Sequence, residues 1–114
     1  MEPHDIKLHQ KWRAALVTEI ADIIIDPAQS ADFEAAVGRA VPLFRSARGC
    51  RGMRLERVVE QEGCYLLVIQ WDSIEDHMDH FRRSDAFQQW RALAGPYFAE
   101  APRVRHVEPI VVGF

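Results

Sequence analysis

Residues 64–71 read Cys-Tyr-Leu-Leu-Val-Ile-Gln-Trp, an almost wholly apolar run of strand length. Successive strand residues point to opposite faces of a sheet, so such a run needs cover above and below. It follows the turn Glu60–Gly63 and ends at Asp72-Ser73, which makes it the second arm of a hairpin. A chain of 114 residues has room for one domain and one core. The cover for both faces must therefore come from a short list of other elements, or from outside the chain.

Val17 to Ile25 is rich in β-branched residues and closes at Asp26-Pro27, a turn signal. Val17, Ala21, Ile23 and Ile25 share one face; Ile20 and Ile24 share the other with Thr18 and Asp22. A helix opens at Ser30 or Ala31, with Phe33, Ala36, Val37, Ala40, Val41 and Phe44 on one stripe. Pro42 lies inside that pattern and is expected to kink or loosen its last turns. Gly49 punctuates, and Gly52 opens a strand from about Met53 to Val59. After a break at Pro102, Arg103 to Val112 alternates well enough to be a last strand. Residues 1–16 are polar and mixed, with Leu8, Trp12, Ala15 and Leu16 at helical spacing, an N-terminal arm or short docking helix ahead of the domain at 17–114.

The segment 71–90, Trp-Asp-Ser-Ile-Glu-Asp-His-Met-Asp-His-Phe-Arg-Arg-Ser-Asp-Ala-Phe-Gln-Gln-Trp, joins the apolar strand to its second helix. Ser73 reads as an N-cap with Asp76 three residues on, a weaker form of the capping box. The helix carries His77 and His80 around an Ile74–Met78–Phe81 stripe and breaks near Ser84. It restarts with Phe87 and Trp90 on one face and ends at Gly95-Pro96. Two histidines, two tryptophans and two phenylalanines in this stretch predict the wall of a small apolar pocket.

The order β-α-β-β-α-β is the ferredoxin-like unit: α+β, with an antiparallel sheet and both helices on one face. Leu66 and Val68, with Ile20 and Ile24, then line a second face that nothing in the chain covers. Exposed apolar sheet of that size implies a partner, and a second copy is the simplest: a homodimer with sheets packed face to face.

Hydrophobic content of 48% and charged content of 27% are ordinary for a soluble globular protein. A net charge of −3 without a basic stripe argues against general nucleic-acid binding, which rests on Lys/Arg neutralisation of phosphate. Arg45, Arg48, Arg51, Arg54 and Arg57 are diluted by Glu56, Glu60 and Glu62, which favours a solvated or interface role. No run approaches the roughly 18 apolar residues of a membrane span, and the N-terminus lacks the apolar core of a signal peptide; a cytoplasmic, non-membrane protein is expected. With a hairpin turning near Gln61–Glu62, Cys64 lies beside the turn and Cys50 about ten residues further along, at ~3.3 Å each. That is beyond disulfide reach, so both are expected as free thiols. No glycine-rich phosphate loop, Ser/His/Asp set or nucleotide fingerprint is present.

Several fragments fall in family order: the Asp26-Pro27 turn before Phe33-Glu34-Ala35-Ala36, then Gly49-Cys50-Arg51-Gly52, then Trp71-Asp72-Ser73. His80 stands nine residues past that tryptophan, followed by Ser84-Asp85-Ala86-Phe87 and a close of Pro102 and His106-Val107-Glu108. Over about residues 17–112 the chain resembles the antibiotic biosynthesis monooxygenase family of dimeric α+β barrels. That resemblance implies the fold and the pocket position more firmly than the chemistry, since the family spans cofactor-free monooxygenases of phenols and quinols, haem-degrading enzymes and an isomerase-like branch. The haem-degrading pattern of strand-one asparagine, strand-three tryptophan and helical histidine is met only by Trp71. The histidine would fall at about Trp90, and the chain contains no asparagine, so that branch is disfavoured.

The resemblance places His80 where family members often carry histidine, and it becomes the candidate catalytic base, able to take the proton of a phenol or quinol hydroxyl with no cofactor. Its bland alternative is a partly exposed helix histidine. His77, nearer the apolar stripe, reads as a core-edge imidazole at the pocket border. Trp71 and Tyr65 share the helix-covered face of their strand and can stack on a flat substrate or simply fill the core. Trp90 and Phe87 come down from the helix opposite. His77, His80, Asp76 and Asp79 make a possible metal cluster, but a closed site needs about four converging ligands and the carboxylates are expected to point to solvent; no metal is expected, and haem ligation through His77 or His80 stays open. Arg54, Arg57, His106 and Glu108 are secondary candidates for a charged contact, or edge charges that guard exposed strands. The functional expectation is a cofactor-independent monooxygenase of a small hydrophobic or aromatic molecule. The alternative is a non-catalytic, ligand-binding or stress-related barrel of the same architecture.

Overall fold

The computed structural model describes residues 17–114; the proposed N-terminal arm lies outside the described residues. β1 (Val17–Ile24) leads through Asp26, whose carboxylate accepts from Ala28 N–H at 3.0 Å, into a short 3-10 turn and α1 (Ser30–Arg45). β2 (Cys50–Arg57) and β3 (Cys64–Trp71) follow as a hairpin, then a π-helical segment (Asp76–Phe81), α2 (Asp85–Ala94) and β4 (Arg103–Val107). The strands form one antiparallel sheet in the order β2-β3-β1-β4. This is the α+β, ferredoxin-like βαββαβ arrangement that the sequence predicts.

The apolar run of β3 lies in the interior of the sheet, between β2 and β1. Its Tyr65, Leu67, Ile69 and Trp71 face the helices with Ala21 and Ile23 of β1, against Phe33, Val37, Ala40 and Phe44 of α1 and Trp90 and Ala94 of α2. Aromatic rings tie the layers together: Phe44 packs on Phe81 and Trp90 at centroid distances of 4.9 and 5.2 Å, and Trp71 on Phe81 at 5.5 Å. The opposite sheet face carries Ile20, Ile24, Leu66 and Val68, with no helix of the described residues over it. Val68 is sheltered by its cross-strand neighbours Ile20 and Arg54, whereas Ile24 is 40% exposed.

Pro42 lies inside α1, which runs on to Arg45 as the stripe through Phe44 requires, and three other features differ from the sequence reading. The carbonyl left without a partner is that of Gly38, an exposed residue with no side chain to block water. β2 begins at Cys50 instead of Met53, because a bulge between Cys50 and Gly52 absorbs Arg51, whose guanidinium grips Asp72 through two bonds of 2.8 and 2.7 Å. β4 stops at Val107, opposite Thr18 near the described start of β1, and Pro109 beyond it has no N–H to donate. Finally, the helix after Ser73 is wound as a π-helix, closed by Arg82 N–H to His77 C=O at 2.9 Å, five residues back. Ser73 does cap it, accepting from Asp76 N–H at 3.1 Å.

The hairpin keeps Cys50 and Cys64 at opposite ends of the β2–β3 ladder as free cysteines. Arg48, Arg51, Arg54 and Arg57 each meet a carboxylate, Asp76, Asp72, Glu56 and Glu34 respectively.

Candidate active site

The wide π turn decides which histidine reaches the interior. It buries His77 and Phe81 and leaves Ile74 and Met78 exposed, displacing the stripe expected for ordinary α-helical winding. His77 is 3% exposed and its ring stacks on Trp71, with centroids 5.3 Å apart and planes 18° from parallel. His80 lies on the exposed side of the segment and does not line the interior cavity.

His77 is held by two groups from the sheet. Its Nε2 lies 3.3 Å from Oε1 of Glu19, and its Nδ1 lies 2.8 Å from Nε2 of His106. Glu19 is on the helix-facing side of β1, directly opposite His106 of β4 and Ile69 of β3. The Trp71 indole N–H donates to the same Glu19 oxygen at 2.9 Å. A carboxyl that is 5% exposed is costly to ionise. Burial pushes the Glu19 pKa up to about 7, opposed in part by the Trp71 hydrogen bond and the Arg82 charge. Burial, and after it the charges of His106 and Arg82, drive His77 down to about 4. Burial also lowers His106.

Between about pH 4 and 7 Glu19 and His77 are both neutral. The His77–His106 hydrogen bond runs from one ring or the other according to their tautomers. The three side chains thus lie in a row from the interior to the half-buried His106. They do not converge on an ion: His77 offers opposite ring nitrogens to its two partners, and no group of three ligating side chains suited to a metal occurs among the described residues.

Glu19 and His77 form the polar end of a cavity of about 610 Å³ between the sheet and α2. That volume is within the usual range of small-molecule sites, about 300–1,000 Å³. Leu67, Phe87, Trp90 and Phe98 give apolar wall, and Arg82, Arg91 and Glu100 stand on the exposed side. Among the described residues, Oε1 of Glu19 takes the Trp71 hydrogen bond and lies beside His77.

Of the residues singled out in the sequence, His77, Phe87 and Trp90 meet in this cavity. Trp71 lies just behind it, bonded to Glu19 and stacked on His77. Tyr65 is further along β3, its hydroxyl donating to Glu34 at 2.6 Å and its ring against Phe33, and it does not line the cavity. Glu19 is the residue the sequence reading passes over. Strand alternation carries the signal: Glu19 has the parity of Val17, Ala21 and Ile23, so its carboxylate has to enter the core.

The antibiotic biosynthesis monooxygenase family profile matches residues 16–93 of this chain. The chain belongs to that family. A candidate antibiotic biosynthesis monooxygenase from Bordetella bronchiseptica is similar in structure, with 46% identity and a TM-score of 0.82 over 83% of this chain and 97% of that one. A second, from Caulobacter crescentus, shares the fold at 23% identity, with a TM-score of 0.73 over 91% of this chain and 99% of its own. The uncharacterised protein YczJ of Bacillus subtilis is 30% identical over 95 residues, 83% of this chain and the whole of YczJ. No helix of the described residues is long and apolar enough to cross a membrane.

Proposed function

We propose that this family member is a cofactor-independent monooxygenase acting on a phenol- or quinol-like aromatic substrate, with Glu19 as the base and His77 and His106 as its proton outlet. The single observation behind this reading is a buried carboxyl, its pKa pushed up to about 7 by burial, at the inner end of a cavity walled by Leu67, Phe87, Trp90 and Phe98. A flat ring fits against Phe87 and Trp90 with its hydroxyl toward Glu19. Deprotonation by Glu19 leaves an electron-rich anion able to reduce dioxygen, with His77 beside Glu19 and His106 next to it as the way out for the proton. For a simple phenol the balance is one substrate and one O₂ giving one quinone and one water. One oxygen atom is retained as the new carbonyl and the other leaves as water, and the substrate supplies all four electrons. This reading moves the catalytic role expected of His80 to Glu19 and His77, because His80 faces away from the cavity.

Oxygen-electrode measurements across a panel of phenols and quinols test it. General-base catalysis is worth roughly 10²–10⁴-fold, so Glu19→Gln is expected to lower oxygen uptake by about 100-fold or more while His80→Ala changes it little. No uptake with any substrate would leave the non-catalytic binding protein as the better account, and full activity in Glu19→Gln would remove Glu19 as the base. We also propose that the working unit is a homodimer joined through the face of Ile20, Leu66 and Val68. The support is an apolar sheet surface that no helix of the described residues covers.

A further inference from the structure

We infer that the substrate is an aromatic acid: a hydroxylated ring carrying a carboxylate, which Arg82 and Arg91 receive while the hydroxyl meets Glu19. The inference rests on the function proposed above and adds the substrate's second polar group. Arg82 and Arg91 both line the same cavity as Glu19 and His77. Arg82 follows the π-helical segment directly, and its guanidinium lies over the Phe87 ring, 5.6 Å from the centroid, with Nη1 3.9 Å from Met78 Sδ. The contact with Phe87 fixes the cation against the aromatic wall. Arg91 stands four residues after Phe87 on the same face of α2, next to Trp90.

Among the described residues neither arginine makes an ion pair with a carboxylate, although Arg48, Arg51, Arg54, Arg57 and Arg105 all do. Glu100 is the only anionic side chain on the exposed side of the cavity among the described residues, so two guanidinium groups face one carboxylate there. A slot with apolar walls, a proton acceptor at one end and two guanidinium-bearing side chains at its exposed side is complementary to a hydroxyaromatic carboxylate. Guanidinium binds carboxylate with fixed, bidentate geometry. A neutral phenol would offer these two cations no anionic partner, and a ring carrying an alkylammonium group would meet them as a like charge.

Calorimetric titration of the full chain with 2-naphthol, 6-hydroxy-2-naphthoate and 6-aminomethyl-2-naphthol separates these cases. The carboxylate is expected to bind about tenfold more tightly than the neutral naphthol, and the amine most weakly. Arg82→Gln with Arg91→Gln should abolish the preference, read as the ratio of 6-hydroxy-2-naphthoate to 2-naphthol affinity within the same variant. Equal binding of naphthol and naphthoate in the unmodified protein overturns the inference while sparing the pocket, and needs no variant. A preference that survives the double substitution overturns the assignment to these arginines. Failure of all three probes to bind removes the inference and the pocket reading together.

Discussion

Glu19 costs the fold stability in order to be where it is. Its pKa is raised from 4.5 to about 7 by burial, so the folded state holds a proton that the unfolded chain has already released. Its contribution to stability is whole below pH 4.5 and is lost as pH rises through 7. His77, lowered from 6.5 to about 4, acts in the other direction, with stability present above 6.5 and lost as pH falls through 4. Glu19→Gln keeps an oxygen for the Trp71 N–H but cannot ionise. Urea denaturation is therefore expected to show the variant gaining on the parent between pH 5 and 8, by on the order of 3 kcal/mol at the upper end. A difference that is flat with pH would mean that Glu19 is not the strained group. Such a cost is retained where activity needs it. Single residues were the least legible level of the sequence. Phe87, Trp90 and His77 carried their signal in local spacing, whereas the pairing of Glu19 with His106 depends on a sheet register between strands at opposite ends of the domain.

At the level of elements, the hydrophobic periods of β1, α1 and β3 and the turn residues between them specified the order of the fold. The π-helical winding was not visible, because a period read at ordinary helical spacing assigns Ile74, Met78 and Phe81 to one stripe. The structure instead turns His77 inward beside Phe81. Ser84, legible as the break, joins that segment to the cavity wall. Its hydroxyl donates to Phe81 C=O at 2.6 Å and accepts from Phe87 N–H at 3.2 Å. Ser84→Ala removes both bonds at the start of α2, the helix that presents Phe87, Trp90 and Arg91. A loss of about 1 kcal/mol in thermal or chemical denaturation is expected. Ser84→Asp keeps the cap and loses only the bond to Phe81, so it should fall between alanine and the parent. Equal stability in all three proteins would show that α2 is held by packing alone.

For the whole molecule, the face opposite the helices controls the outcome. Leu66 sits near its middle, directly across from Asp22 on β1 and Glu56 on β2. Those carboxylates in turn meet Arg105 at 3.4 Å and Arg54 at 3.3 Å. The face is thus an apolar strip with charged borders, the layout of a recognition surface: apolar in the centre and polar at the rim. In a face-to-face dimer the strip is buried against its own copy by a two-fold axis. Light scattering at micromolar concentration should then give a mass twice the 13.1 kDa of the chain. Leu66→Lys is the sharper experiment. In a lone protomer the new ammonium lies between Asp22 and Glu56 and is satisfied there, so the monomer's fold survives. In the dimer it brings a charge into the apolar strip at both symmetry-related positions, with a desolvation cost that a marginal interface does not withstand. The variant is expected to run at the mass of one chain with an unchanged far-UV circular dichroism spectrum. A parent protein that is already monomeric, or a Leu66→Lys protein that stays paired, would mean that this face does not join the two copies.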